Sequence, residues 1–346
     1  MTTGTLSIDL DALAANWRAL DSLTAVDTAA VVKADGYGLG AGRVARALAA
    51  AGARSFFVAD ASEGAAVRAA VGEAREVYVF GGHQAGDTDA IAAHRLIPLL
   101  NAPDQWRRHR EALPGAPFGV QLDTGMSRLG FQPADWAACR ADILAARPAL
   151  VISHLACADE PDHPQNAAQL AAFRAMTDGI AAPRSLSATG GTLLGPDFHF
   201  DLVRPGIGLY GGLPFAGAAP VVRLALPVIQ TRDVPAGTMA GYGAAWTARR
   251  DSRLAILSGG YADGLIRALS KGCTLWAGER PCPLAGRVSM DLLIVDVTDL
   301  PNVPDSLDIL GPMQGIDALA DAAGTIGYEI LTSLGSRYRR RDLPQT

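Results

Sequence analysis

Ala30-Val31-Val32-Lys33-Ala34-Asp35-Gly36-Tyr37-Gly38-Leu39-Gly40 runs from an apolar β-rich stretch, through a lysine, into a glycine-rich turn. An alanine-rich helical stretch, Ala41–Ala51, follows at once. Strand, turn and helix make one unit of a parallel β/α fold. The unit recurs. Candidate strands are Ala29–Ala34, Ser55–Ala59, Glu76–Phe80, Leu96–Leu100, Phe118–Leu122, Leu150–His154, Ser185–Ala188 and Asp201–Val203, of which the fourth and seventh are faintest. Helices are expected at Ala61–Val71, which opens with Ser62 and Glu63, and at Pro103–Leu113, Pro133–Ala146 and Pro164–Ile180. Eight β runs, mostly separated by helices, argue for a (β/α)8 barrel of the TIM type over an open sheet.

After about residue 215 the texture changes. Val221–Gln230, Leu254–Leu257, Leu275–Ala277 and Leu292–Val297 are β-branched or leucine-rich. Pro-Ala-Gly, Gly-Tyr-Gly, Ala-Gly-Glu-Arg and Pro-x-Pro punctuate them, and helical periodicity is nearly confined to Ile316–Ala323. This predicts a mostly antiparallel β domain. Pro214–Pro220 reads as the linker. The expected domains are a barrel at 1–216 and a β domain at 217–346, with the first strand, about 4–8, free to pair with the second domain.

The chain has 346 residues, 49% hydrophobic and 19% charged, with a net charge of −5. No basic block points to nucleic acid. No apolar run approaches the roughly 18 residues of a membrane span, and the first residues lack the charge and apolar core of a signal peptide. A cytoplasmic location is expected. Cys139, Cys157, Cys273 and Cys282 are scattered, as free thiols would be. No histidine lies beyond His199 and none forms H-x-x-x-H, so no metal is expected.

Of thirty lysines and arginines, only Lys33 and Lys271 are lysine. Arginine cannot take over one lysine role, because its guanidinium neither deprotonates nor forms a Schiff base. Codon bias explains the arginine excess but not the place of Lys33, at the end of an apolar run; Lys271 has an ordinary solvated setting. Barrel chemistry sits at the C-terminal strand ends. Lys33, Arg128, His154, Thr189 and Arg204 all fall there, with glycine-rich turns whose N–H groups suit a phosphate. Each turn alone is weak; their convergence carries the inference. A lysine beside a phosphate site suggests pyridoxal phosphate. Tyr37 could also reach that phosphate, or be a plain surface-turn aromatic.

These segments resemble the alanine racemase family. Val32–Gly40 is similar to its pyridoxal-lysine segment. Ile8–Asn16, Asp123–Gly130, Ser153–Leu155, Val203–Ile207, Gly260-Tyr261-Ala262-Asp263-Gly264 and Ser289-Met290-Asp291 follow in the family's order, over essentially the whole chain. The resemblance implies a pyridoxal-phosphate barrel followed by a β domain, in a homodimer with composite sites. It implies interconversion of L- and D-alanine, for cell-wall synthesis or alanine catabolism. Lys33 would hold the cofactor and act on one face of Cα; Tyr261, from the other subunit, would act on the opposite face. Inversion needs a proton removed from one side and returned on the other. A tyrosine base near neutrality needs a shift of roughly three units, about 4 kcal/mol, which a cationic neighbourhood can supply.

The resemblance also implies a hydrogen-bond chain from that tyrosine through His154 and Arg204 to the cofactor's ring nitrogen. A guanidinium about 4 Å from that nitrogen costs a protonated ring on the order of 4 kcal/mol at an effective dielectric near 20. The electron sink is then weak, which disfavours transamination. Arg128 matches the arginine near the substrate carboxylate. Met290 and Asp291 match partner-subunit residues around the substrate. Tyr37, Thr189, Gly206 and Ile207 fall on phosphate-contacting positions. Thr189 stands where serine is usual, and Ser336 where a tyrosine often reaches the phosphate. Gln121 stands where many relatives carry a carbamylated lysine.

Related barrel enzymes fit less well. A D-amino-acid aldolase needs a metal in its β domain, where this chain has no histidine. A decarboxylase needs a cysteine-bearing loop, and Cys273 and Cys282 lack that setting. A non-catalytic pyridoxal-phosphate carrier would match the barrel alone. A serine or broad-spectrum racemase would share nearly every motif.

Overall fold

The computed structural model describes residues 3–343 and divides into two compact units. One is Leu13–Leu209 with Pro214–Gly217. The other takes the chain before Leu13, Tyr210–Leu213 and the chain after Gly217.

The first unit is the barrel. Its strands are Asp27–Thr28 continued by Ala30–Val31, then Ser55–Val58, Glu76–Val79, Ile97–Leu100, Gly119–Gln121, Val151–Ile152, Arg184–Ser185 and Leu202–Val203. Each pairs in parallel with the next as far as Arg184–Ser185. The backbone closes the circle. Asp201 N–H donates to Arg184 O at 3.0 Å and Arg204 N–H to Ser187 O at 2.8 Å. On the other side, Ala29 N–H donates to Val203 O at 2.8 Å and Val31 N–H to Pro205 O at 3.1 Å. Strands this short are buried on both faces, so they read as brief apolar runs without alternation.

Helices Ala41–Ala51 and Ala61–Val71 have the expected bounds, and Pro103–Ala112, Pro133–Ala145 and Pro164–Thr177 each begin at the expected proline. Helices Leu10–Asp21, Thr88–Ala93 and Thr189–Leu193 were not anticipated. Leu10–Asp21 buries a stripe of Leu13, Ala14, Trp17 and Leu20 at helical spacing. Thr88–Ala93 buries only Ile91 and is too short for a period to show.

One expectation fails locally. Ala34 does not end a strand: it begins a left-handed turn, with φ/ψ of 52/50 at Ala34, 53/47 at Asp35 and 63/46 at Gly36, and φ of 54 at Tyr37. Non-glycine residues pay about 1–2 kcal/mol each for this conformation. Gly36 N–H to Val32 O at 2.9 Å, Gly38 N–H to Ala34 O at 2.8 Å and Gly40 N–H to Asp35 O at 2.7 Å offset the strain. Asp35 also accepts from Ala41 N–H at 2.7 Å, fixing the start of the next helix.

The second unit is a sheet ordered Arg280–Pro283, Thr274–Ala277, Ser306–Leu310, Val222–Val234, Thr5–Ile8, Arg339–Asp342. Ser252–Ser258 pairs with Val222–Val234 and with Leu292–Asp296. All pairs are antiparallel except Thr5–Ile8 with Arg339–Asp342. Val222–Val234 outruns its expected length. A register shift between Val228 and Gln230 re-aims it toward Ser252–Ser258. A second helix, Gly327–Ser333, follows the expected Ile316–Ala323. No helix among the described residues is long and apolar enough to cross a membrane.

Candidate active site

Lys33 stands where the first barrel strand gives way to the left-handed turn, half-buried, with Nζ 5.7 Å from the centre of the Phe80 ring. Burial lowers its proton affinity, and Arg128 lowers it further; Glu63 opposes both. Arg128 is exposed, on a loop knotted by Asp123, whose Oδ1 accepts from Gly125, Met126 and Ser127 N–H at 2.9, 3.0 and 3.1 Å. Buried Gln121 donates through Nε2 to Leu129 O at 3.1 Å, bracing the backbone beside Arg128 with a neutral amide.

Arg204 is buried, 1% exposed, and has no carboxylate partner among the described residues. Its Nη2 donates to Ser153 O at 2.6 Å and its Nη1 to Ser185 Oγ, with the guanidinium 5.9 Å from the Phe57 ring centre. Burial pushes its pKa down to about 9. His154 is pushed down to about 3, by burial first and then by Arg204, Arg128 and Lys33. It is a neutral imidazole among three cations. Gln169, buried, donates to His154 O at 2.9 Å and to Thr124 Oγ1 at 3.3 Å, and Thr124 bonds Ser153 Oγ at 2.8 Å. Ser185 and Gln169 were not singled out from sequence, since their types and spacing carry no signal of their own, and Ser153 entered only as the neighbour of His154.

The phosphate-type positions also come together. Thr189 is buried, and its Oγ1 accepts from Gly206 N–H at 3.0 Å and Gly208 N–H at 3.3 Å. With both lone pairs used, the hydroxyl can only donate, and no described residue accepts from it. A buried donor without an acceptor suits an anion. Tyr37 is buried with its hydroxyl against Gly206, where a Cβ would collide with it. Ile207, buried, opens the turn Ile207–Tyr210.

The remaining expected residues lie in the other unit. Gly260 packs so closely on Ser289 and Met290 that a Cβ would collide with their carbonyl oxygens. Tyr261 N–H donates to Ser289 O and Ala262 N–H to Met290 O, both at 3.0 Å. Asp263 accepts from Gly260 N–H at 2.9 Å and from Arg337 Nε at 2.6 Å, and Arg337 Nη1 reaches Asp291 at 2.8 Å. Tyr261 and Met290 thus share one braced surface, 42% and 53% exposed. Ser336, exposed, adjoins Gly335, whose N–H donates to Asp263 O at 2.9 Å.

A second tyrosine of this unit is more exposed: Tyr242, at 71%. It sits at the tip of the hairpin Met239–Ala240/Trp246–Thr247, between Gly241 and Gly243 of positive φ. The Arg287 guanidinium lies against that tip, Nη1 3.2 Å from where a Gly243 Cβ would stand. No carboxylate pairs with Arg287 among the described residues. From sequence, Gly-Tyr-Gly reads as mere punctuation between strands.

A closed parallel barrel with a lysine of lowered proton affinity at its mouth, joined in one chain to a β domain, is a two-domain enzyme of the lysine-centred barrel class. Comparison with known proteins narrows the class to one family. The models "Alanine racemase, N-terminal domain" and "Alanine racemase, C-terminal domain" match residues 8–214 and 221–342. An alanine racemase of Jannaschia sp. is 67% identical over 344 residues, covering 99% of this chain and 100% of that protein. One from Agrobacterium fabrum named "Alanine racemase, catabolic" is 47% identical, covering 98% of this chain and 92% of its own length. The crystal structure of alanine racemase from Bartonella henselae with covalently bound pyridoxal phosphate superposes with a TM-score of 0.94, at 37% identity, covering 99% of this chain and 100% of that one. The chain belongs to the alanine racemase family, enzymes that interconvert the enantiomers of alanine.

Proposed function

We propose that this chain racemises alanine with pyridoxal 5′-phosphate held on Lys33, as a homodimer in which each β domain completes the partner's site. The observation that carries this is the mouth's charge: Lys33, Arg128 and Arg204 gather around a neutral His154 without an ion-paired carboxylate, beside a Thr189 hydroxyl that can only donate. Such a mouth calls for anions, and a phosphate plus an amino-acid carboxylate fit it.

Tyr37, Thr189, Gly206 and Ile207 would hold the phosphate, with Ser336 a shorter-reaching candidate. Arg204 would face the ring nitrogen; it donates hydrogen bonds but gives up no proton, and so keeps the nitrogen an acceptor. When bound, the cofactor draws electrons from Cα and acidifies its hydrogen. Arg128 orients the substrate carboxylate, and Met290 bounds the space around the side chain. His154, neutral, can relay a hydrogen bond. Lys33 takes or returns the Cα proton on one face.

A tyrosine from the partner subunit serves the other face. The resemblance assigns Tyr261. The charges around Tyr242 and Tyr261 favour a second reading, Tyr242. A tyrosine base needs a cation beside it. Arg287, unpaired, lies against the tip that carries Tyr242, whereas beside Tyr261 Asp263 and Asp291 share a single guanidinium. Under this reading Tyr261 walls the substrate cavity.

Supply of D-alanine to the cell wall and alanine catabolism would both use this reaction. The test is racemisation by purified protein across a panel of L-amino acids, read by chiral chromatography. Alanine turned over fastest is expected; no racemisation of any amino acid in the presence of pyridoxal phosphate would end the proposal.

A further inference from the structure

Glu63 stands one turn into the helix Ala61–Val71, where sequence reads it as a helix-start residue. The helix start is already capped by another side chain: Asp60 Oδ1 accepts from Ser62 N–H at 3.0 Å and Glu63 N–H at 3.2 Å. In a capping box the glutamate would turn back to the N–H of the cap residue itself. Here it does something else. Its Oε2 accepts from Ala59 N–H and its Oε1 from Ala34 N–H, both at 2.7 Å. Ala59 follows the second barrel strand, and Ala34 is the residue after Lys33, the first left-handed position of the strained turn.

We propose that Glu63 is the positioning residue of Lys33: one carboxylate ties together the ends of the first two barrel strands, holds the backbone that carries the lysine, and supplies the negative charge nearest its amine. The inference rests on the reading of Lys33 as a proton-transferring base. The other charged or titratable groups that face the amine are Arg128 and His154, and the first of these pushes it the opposite way. Both Ala34 and Ala59 N–H groups point at a full carboxylate, which makes the bonds charge-assisted and about twice as strong as neutral ones. A glutamine cannot replace it, because an amide offers one oxygen and would turn its NH2 toward the other N–H.

The lysine-poor sequence provides a clean test. Lys33-Ala34 is the only Lys-Ala pair, since Lys271 precedes Gly272. Holoenzyme labelled with carbonyl-¹³C lysine and ¹⁵N alanine therefore gives one amide signal, that of Ala34. In E63Q this signal should move upfield as the charge-assisted bond is lost. The acidic limb of the D-to-L racemisation profile should move to lower pH, because loss of a neighbouring negative charge makes the amine easier to deprotonate. E63D keeps the charge but shortens the reach. There the signal should move while the limb stays near that of the wild type, and this variant serves if E63Q does not fold. An unmoved Ala34 signal in E63Q, an unmoved limb in E63Q, or a limb displaced in E63D would each overturn the proposal. Absence of racemisation by the wild type would instead sink the racemase reading and leave the amide readout intact.

Discussion

Two arginines, one in each unit, are held in opposite ways. In the barrel, Arg204 is 1% exposed and donates to a serine hydroxyl and a carbonyl, with no carboxylate. In the sheet unit, Arg337 is shared between Asp263 and Asp291. A paired guanidinium has its partners already and serves to brace a turn. An unpaired, buried one carries a desolvation cost that its fold does not return. The difference separates residues that shape a site from residues that await a ligand.

The strongest way to break that distinction is at Lys33. Lys33→Ala should lose racemisation by more than the 10²–10⁴-fold typical of one acid–base group, since attachment and proton transfer fail together. Borohydride should fix a chromophore on the Lys33 peptide of the wild type. A label on Lys271 instead would mean the unpaired mouth is not the site.

Next comes the tyrosine. Loss of the phenol that acts as base should cost about 10²–10⁴-fold in racemisation, while α-hydrogen exchange of D-alanine in deuterated buffer persists by proton NMR. Comparing Tyr242→Phe with Tyr261→Phe decides between an unpaired-cation setting and a paired one. Equal residual exchange from both enantiomers in both variants would remove the two-base scheme. Mixing Lys33→Ala with the inactive tyrosine variant should restore activity if sites are composite. No recovery after confirmed subunit exchange would put both residues in one chain's site.

A smaller effect is expected at Thr189. Valine keeps the shape but leaves the N–H groups of Gly206 and Gly208 without an acceptor. Loss of one such bond costs about 1–3 kcal/mol, so pyridoxal phosphate should bind roughly 10–100-fold more weakly, and Thr189→Ser should restore it. Titration of cofactor-free protein by absorbance measures this; unchanged affinity would show the orphaned donor serves nothing.

The smallest concerns pH. His154 is held neutral, with its pKa at about 3 against an ordinary 6.5. Its unfolded form binds a proton first, so the stability it protects is complete above 6.5 and is lost as pH falls toward 3. The slope is at most about 1.4 kcal/mol per pH unit. Urea midpoints at pH 6.5 and 5.5 should therefore converge in His154→Asn relative to the wild type.

Much of the barrel could be read because most of its short strands are mainly apolar and three helices announce themselves by proline. Residues at strand ends, Lys33, His154 and Arg204, were legible for the same reason: a strand end is visible in sequence. The left-handed turn was not, because Ala34 carries no mark of positive φ, and it is held there by backbone bonds within the turn and by side-chain contacts from Glu63 and Asp35. Arg337 was invisible because its partners lie 74 and 46 residues away. Tyr242 was hidden in plain view, between glycines that look like a simple turn.

The strand order of the second unit bears on how the protein behaves when crowded. A barrel that closes on itself offers no unpaired strand to a neighbour, but a sheet must stop somewhere. The main path of this one ends at Arg280-Pro281-Cys282-Pro283 on one side and Arg339-Arg340-Arg341-Asp342 on the other. Two prolines withhold the N–H groups a docking strand would need, and three consecutive arginines meet any copy of themselves with like charge. The terminal strands are thus built against runaway strand-to-strand aggregation, and replacing either proline or the arginine run with β-branched residues would open that route.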